Sequence, residues 1–190
     1  PDLSATYNVA LTASQLVEGA PIRVVNCHTA AMGQGFAALE AARAAARGAT
    51  LDEVVSRIEE VVARVNLLFA LDTFEYLHRG GRIGGAAALM GTVLQIKPLL
   101  YLDDGHISVM AKPRTKPKAI RLLVQRMAER VGDRPLHAAV FHADALSEAE
   151  DLRQLLAAKF DCVELYVTEF TPVMGAHTGP GLLGVAFYGE

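Results

Sequence analysis

Asp104-Gly105 separates two apolar runs, IKPLLYL and HISVMAK, and this dipeptide limits the fold more than any other short segment. Asp-Gly supplies the left-handed backbone of a two-residue hairpin turn, so the flanking runs must become adjacent antiparallel strands. In the second arm Ile107, Val109 and Ala111 alternate with His106, Ser108, Met110 and Lys112, the period of a half-buried strand. Elsewhere helical and extended patterns follow one another along the chain, as in folds with crossover helices. Together they predict an α/β protein with a mixed sheet flanked by helices.

The helical segments can be read from period and caps. Leu51, Val54, Val55, Ile58, Val61, Val62 and Val65 recur at helical spacing, and Thr50 with Glu53 has the form of a capping box. Residues 4–17 read as a first helix capped by Ser4 or Thr6, and residues 33–48 as a second that closes on Gly48. Thr115 opens a helix with Ile120, Leu123, Val124, Met127 and Val131 on its apolar face, and Ser147 with Glu150 suggests a second capping box. A small-residue helix is expected over 86–94. Strands are expected at 21–26, 66–72, 136–143, 162–170 and 182–189. The first 65 residues then hold three helices and one strand, only part of an α/β domain.

With 190 residues, 52% hydrophobic and 21% charged, the chain has the composition of a globular protein. A net charge of −3 leaves no broad basic footprint for nucleic acid. No apolar run approaches the roughly 18–20 residues that span a bilayer, so no membrane insertion is expected. No signal-peptide pattern opens the chain, and Cys27 and Cys162 make neither a disulfide framework nor a zinc spacing. A cytoplasmic protein with no metal is the resulting expectation.

Several motifs fail on inspection. GQGFAA imitates a dinucleotide fingerprint, but six residues separate Asn26 from Gly33, and Asp52 and Glu53 begin a helix instead of ending a strand. His137 and His142, five apart in one strand, face opposite sides and cannot share a metal. Adjacent Cys27 and His28 make no catalytic dyad, and no nucleophile elbow is present. Three donors remain. Arg82 stands in the glycine-rich RGGRIGG, where its fork could hold a carboxylate or phosphate. Ser4 stands at a helix N-terminus, and His177 precedes Thr178 and a Gly-Pro-Gly turn.

These pieces fall in the order of a known family. LSATYNVA, FALDTFEYLHRGGRIG, LQIKPLLYLDDGHISVMAKPRTKPKAI and GAHTGPGLLGVAF resemble successive motifs of the DegV family of bacterial fatty-acid-binding proteins. The resemblance implies two α/β domains, here a partial N-terminal domain over 1–66 and a C-terminal lipid-binding domain over 67–190. It implies one long-chain fatty acid, its carboxylate near the domain interface at Ser4, Arg82 and His177, its acyl chain in an apolar tunnel. The family is not itself catalytic and needs no cofactor. Its members present the bound acid to a separate fatty acid kinase, for which Lys112 and Arg114 of the basic stretch through Lys116 and Lys118 would be docking residues. Ala5 stands where the family has glycine, and Asn26-Cys27 where it often has Asp-Ser. The resemblance further implies that the family's usual N-terminal segment, with its opening strands and another hydroxyl donor, lies outside this chain. An uncovered strand edge would then favour self-association. Two other readings stay open: a subunit related to dihydroxyacetone kinases that binds a small carbonyl compound covalently through His177, and a shortened form without a ligand.

Overall fold

The computed structural model describes residues 3–89 and 96–190. Three helices come first, α1 (Thr6–Ser14), α2 (Ala31–Ala46) and α3 (Leu51–Val62). β1 (Asn66–Ala70) and the short α4 (Glu75–Arg79) lead to a 3-10 helix over Gly84–Leu89. The rest alternates: β2 (Leu99–Asp103), β3 (His106–Ala111), α5 (Lys116–Val131), β4 (Leu136–Ala143), α6 (Leu146–Lys159), β5 (Cys162–Glu169), α7 (Pro172–Thr178) and β6 (Leu182–Gly189). The six strands form one sheet in the order β3-β2-β1-β6-β4-β5. Only β4 and β5 are parallel, with α6 as their crossover; the remaining pairs are antiparallel. The sheet is mixed, as expected.

Alternation of side chains divides the core between the two faces of this sheet. Leu68, Val140, Val185 and Phe187 pack against Leu123, Met127, Leu152 and Leu156 of α5 and α6. The intervening residues Leu67, Phe69, Phe141 and Leu182 point the other way and join Phe36 of α2, Val61 of α3 and Leu77 of α4. The hairpin turn has Asp104 at φ 45° and Gly105 at φ 78°, the left-handed pair expected. Thr50 and Glu53 form the capping box in full: Glu53 N–H donates to Thr50 Oγ1 and Thr50 N–H donates to the Glu53 carboxylate.

A buried polar network ties α2 and α3 to the sheet. Glu40, only 5% exposed, accepts from Arg43 at 2.7 Å and from Arg57 at 2.5 Å. Arg43 also grips Glu164 of β5 with two bonds, 3.1 and 2.6 Å, in the fork geometry that suits a carboxylate. His137 Nδ1 lies 2.7 Å from Glu164, and the Tyr166 hydroxyl donates to it at 2.7 Å. The His137 ring stacks on Tyr188 of β6 with centroids 4.4 Å apart. Bonds from Arg43 hold the Glu164 carboxyl down at about 2, with His137 and Tyr166 adding to the effect. Burial pushes the Glu40 carboxyl up, but the bonds from Arg43 and Arg57 together outweigh it and leave it below its ordinary value.

Several local expectations are corrected. Residues 21–26 form no strand, and Ile22 remains 45% exposed. A strand exists only through its ladder, and no described segment pairs with this one. Ser147 does not cap α6: the helix starts from Ala145, whose N–H donates to His142 Nδ1 at 3.4 Å, while Glu150 pairs with Arg153. Ala111 leaves the face of Ile107 and Val109, because Leu100 pairs with Val109 and Leu99 with Ala111, which bulges β3 at Met110. α1 ends at Ser14, three residues early, and α7 forms where only a turn was expected. Of the small-residue helix at 86–94, the beginning lies in the 3-10 helix and residues 90–94 fall outside the described residues.

Candidate functional site

The second face of the sheet is only partly covered by helices, and a cavity of about 610 Å³ lies upon it. Leu67, Phe69, Phe141 and Leu182 supply its floor from β1, β4 and β6, and Leu102 and Ile107 extend it toward the hairpin. Residues 23–31, α1 and α7 contribute the walls. The volume lies within the roughly 300–1,000 Å³ typical of small-molecule sites.

Ser4, Arg82 and His177 all line this one cavity, although 173 residues separate the first from the last. Two glycine-rich loops bring them together at the end of the sheet where β1 leaves and β6 enters. Gly80 ends α4, and a Cβ there would sit 2.2 Å from Nδ1 of His177, so the histidine can occupy its position only against a glycine. Gly181, at φ 79°, begins the return into β6; a Cβ there would strike the Asp72 carboxylate at 2.3 Å. His177, expected just ahead of a Gly-Pro-Gly turn, occupies the last turn of α7, which starts at Pro172.

Each donor is held differently. Arg82 gives its Nε–H to Leu3 carbonyl at 3.2 Å and one terminal N–H to Gly80 carbonyl at 2.7 Å, which fixes the guanidinium between the N-terminal segment and its own loop. Ser4 Oγ accepts the Thr6 N–H at 3.1 Å and shares a 2.6 Å hydrogen bond with the Thr6 hydroxyl. Thr6 lines the cavity as well, a donor that sequence reading treated only as a helix cap. His177 Nδ1 is buried and has no hydrogen-bond partner among the described residues. Such an atom is costly inside a protein, and because it is packed against Gly80 it is not itself open to the cavity.

Arg23, His28, Arg82 and His177 are among the lining residues of the cavity, and none of the described lining residues is Asp or Glu. Arg23 pairs with Asp52 at 3.1 Å and His28 with Asp104 at 2.8 Å, so Arg82 and His177 carry most of its positive character. Tyr7, Asn26, Thr29 and Gln34 also reach it, none of which the sequence singled out as a ligand group. The remainder is chiefly aliphatic and aromatic. Cys27 lines the wall, where burial pushes its thiol above the ordinary value and keeps it protonated. Lys112 and Arg114 lie elsewhere, exposed between β3 and α5, while neighbouring Lys116 pairs with Glu148. Among the described residues no cluster of His, Cys, Asp and Glu could hold a metal ion, and no helix is long and apolar enough to cross a membrane.

Comparison with known proteins gives one consistent result. A DegV domain-containing protein of Streptomyces coelicolor is 44% identical over 185 residues, which is 97% of this chain and 66% of the relative. One from Clostridium acetobutylicum is 40% identical over 194 residues, covering 100% of this chain and 68% of its own length. The chain thus spans about two thirds of the length of the curated relatives it matches. Among solved structures, a DegV family protein from Thermus thermophilus described as binding fatty acid superposes with a TM-score of 0.91 at 32% identity, over 99% of this chain and 68% of that one. DegV of Bacillus subtilis, described as a fatty acid binding protein, gives 0.89 at 31% identity, over 100% and 68%. The family model described as "Uncharacterised protein, DegV family" matches residues 1–190. The mixed sheet flanked by helices matches the fold of these neighbours, and the chain belongs to the DegV family.

Proposed function

We propose that this protein binds one long-chain fatty acid, with the carboxylate at Ser4, Arg82 and His177 and the acyl chain along the apolar floor. One observation carries the reading: a mostly apolar cavity, with no acidic residue among its described lining, brings Arg82, His177 and several hydroxyls together. That combination suits a ligand with a single negative end and a long apolar body. Burying about fourteen methylenes at ~0.8 kcal/mol each could supply more than 10 kcal/mol before the costs of association. A carboxylate without partners would lose several kcal/mol on burial, so the donors mainly cancel a penalty and fix orientation. The fatty acids named for the Thermus and Bacillus relatives support the same ligand class. In this reading residues 1–66 wall the site and residues 67–190 supply its floor, and the protein performs no chemistry of its own.

Extraction of the purified protein with organic solvent, followed by mass spectrometry, tests this. About one equivalent of a long-chain fatty acid per chain is expected. A protein that is empty and also refuses added palmitate and oleate would overturn the reading.

The same proposal extends to a partner. Exposed Lys112 and Arg114 lie away from the cavity and could dock a kinase that phosphorylates the presented carboxylate. Charge reversal at both, Lys112→Glu with Arg114→Glu, should leave fatty acid affinity unchanged and lower acyl-phosphate formation by such a kinase. Equal acyl-phosphate formation with and without the substitutions would remove these residues from the interface.

A further inference from the structure

We infer that Gly184 sets the shape of the cavity floor and, through Phe141, selects which acyl chains fit. The inference rests on the fatty acid reading above.

Gly184 lies inside β6, the strand between β1 and β4, opposite Phe69 on one side and Phe141 on the other. Glycine weakens a strand interior, since it orders the most freely rotating backbone and contributes no side chain to packing. Its φ is not left-handed, unlike those of Gly179 and Gly181 nearby, so backbone freedom is not what the position requires. Space is. A Cβ at 184 would lie 2.5 Å from Cε2 and 2.5 Å from Cζ of Phe141, and 2.6 Å from Cβ of Phe69. The Cε2–Cζ edge of the Phe141 ring therefore fills the place of the missing side chain.

The ring has little freedom to move sideways. It stacks on Phe170 with centroids 5.0 Å apart and planes within 3°. Phe170 is itself held at the end of β5, where its N–H donates to His142 carbonyl at 2.8 Å. On the other flank the Phe69 Cβ is fixed to the β1 backbone. A ring displaced from Gly184 presses on Phe170, and because Phe69, Phe141 and Phe170 all line the cavity, the displacement narrows it. Gly184 stands two residues beyond Leu182, about 7 Å along the strand from the end where the donor residues gather. Phe141 is itself fully buried, so its displacement reaches the acyl chain, several methylenes from the carboxylate, through the half-buried Phe170. A short acid would end before the displaced pair, and a long one would have to pass it.

The test is a fatty acid panel, from octanoate to stearate with oleate, measured by displacement of a fluorescent fatty acid from the wild type, Gly184→Ala, Phe141→Leu and the double variant. Thermal unfolding of each confirms that it is folded. Gly184→Ala is expected to weaken palmitate relative to octanoate by about tenfold, the equivalent of losing roughly two buried methylenes. Adding Phe141→Leu removes the two ring atoms that collide and should recover most of the loss. Phe141→Leu alone deepens the floor and should raise oleate relative to palmitate, independently of whether Gly184→Ala folds. An unchanged chain preference in Phe141→Leu, or no recovery in a folded double variant, overturns the inference while the fatty acid reading stands. A wild type that binds no member of the panel overturns both.

Discussion

Gly80→Ala is expected to weaken palmitate binding by roughly tenfold to a hundredfold, close to the loss from His177→Ala itself. The new methyl would lie 2.2 Å from His177 Nδ1, which must then leave its place at the cavity. Gly80 carbonyl also anchors Arg82, so one methyl disturbs two of the three proposed carboxylate donors. Hydrogen bonds to charged groups are worth about 1.5–3 kcal/mol, which gives that range of affinity. Arg82→Ala should act in the same direction. Methyl palmitate separates head-group recognition from packing, since it keeps the chain and loses the charge. Titration of both ligands should show palmitate weakened far more than the ester. Equal weakening of both would mean that the substitutions deform the cavity and that the donors do not hold a carboxylate.

Arg43→Ala should be the most destabilising single change outside the apolar core. It would leave Glu40 and Glu164, with side chains 7% and 10% exposed, short of their shared cation. Removing one partner from a buried ion pair costs about 3–5 kcal/mol, and because Arg43 is itself 37% exposed and each carboxylate keeps another partner, the lower end of that range applies. For a chain of this size that is a fall in Tm of roughly 10 °C. The sign of the pH dependence follows from Glu164, whose carboxyl is held at about 2 against an ordinary value of 4.5. A depressed carboxyl adds stability above its unfolded pKa, and that stability is lost as pH falls from 4.5 toward 2. Calorimetry across this interval should show a steep loss in the wild type and a shallower one in Arg43→Ala. A Tm within 2 °C of wild type, about the effect of 1 kcal/mol or less, would show that the network relaxes without cost.

Much of the secondary structure was legible because its causes are local. Six of the seven expected apolar positions lie in α3, which ends before Val65, and this helix, its Thr50–Glu53 box and the Asp104-Gly105 turn each act within a few residues. The apolar face of α5 was equally clear, with Leu123, Val124, Met127 and Val131 buried against the sheet. The motifs also pointed to Ser4, Arg82 and His177, but only as isolated donors until the family resemblance joined them.

What the local pattern could not decide is whatever depends on a distant partner. Residues 21–26 have the composition of a strand, yet composition cannot provide the neighbour whose N–H and C=O groups a strand requires. The last strand in sequence lies between β1 and β4, a position fixed by which ladders form and not by chain order. The bulge at Met110 arises from the register of β2 against β3 and moves Ala111 to the opposite face. α7 is short, with proline at its start and a glycine within it, so its helix depends on packing against α4 more than on propensity. The glycines make the same distinction. Gly105 is required by its own backbone angle and was readable from the sequence, whereas Gly80 and Gly184 are required by His177 and Phe141, residues 97 and 43 positions away. The sequence by itself determined the helices and turns whose causes are local, such as α3, α5 and the Asp104-Gly105 turn, and which residues can donate. Tertiary structure alone decided which donors meet and how much room lies between them, because both depend on packing between segments remote along the chain.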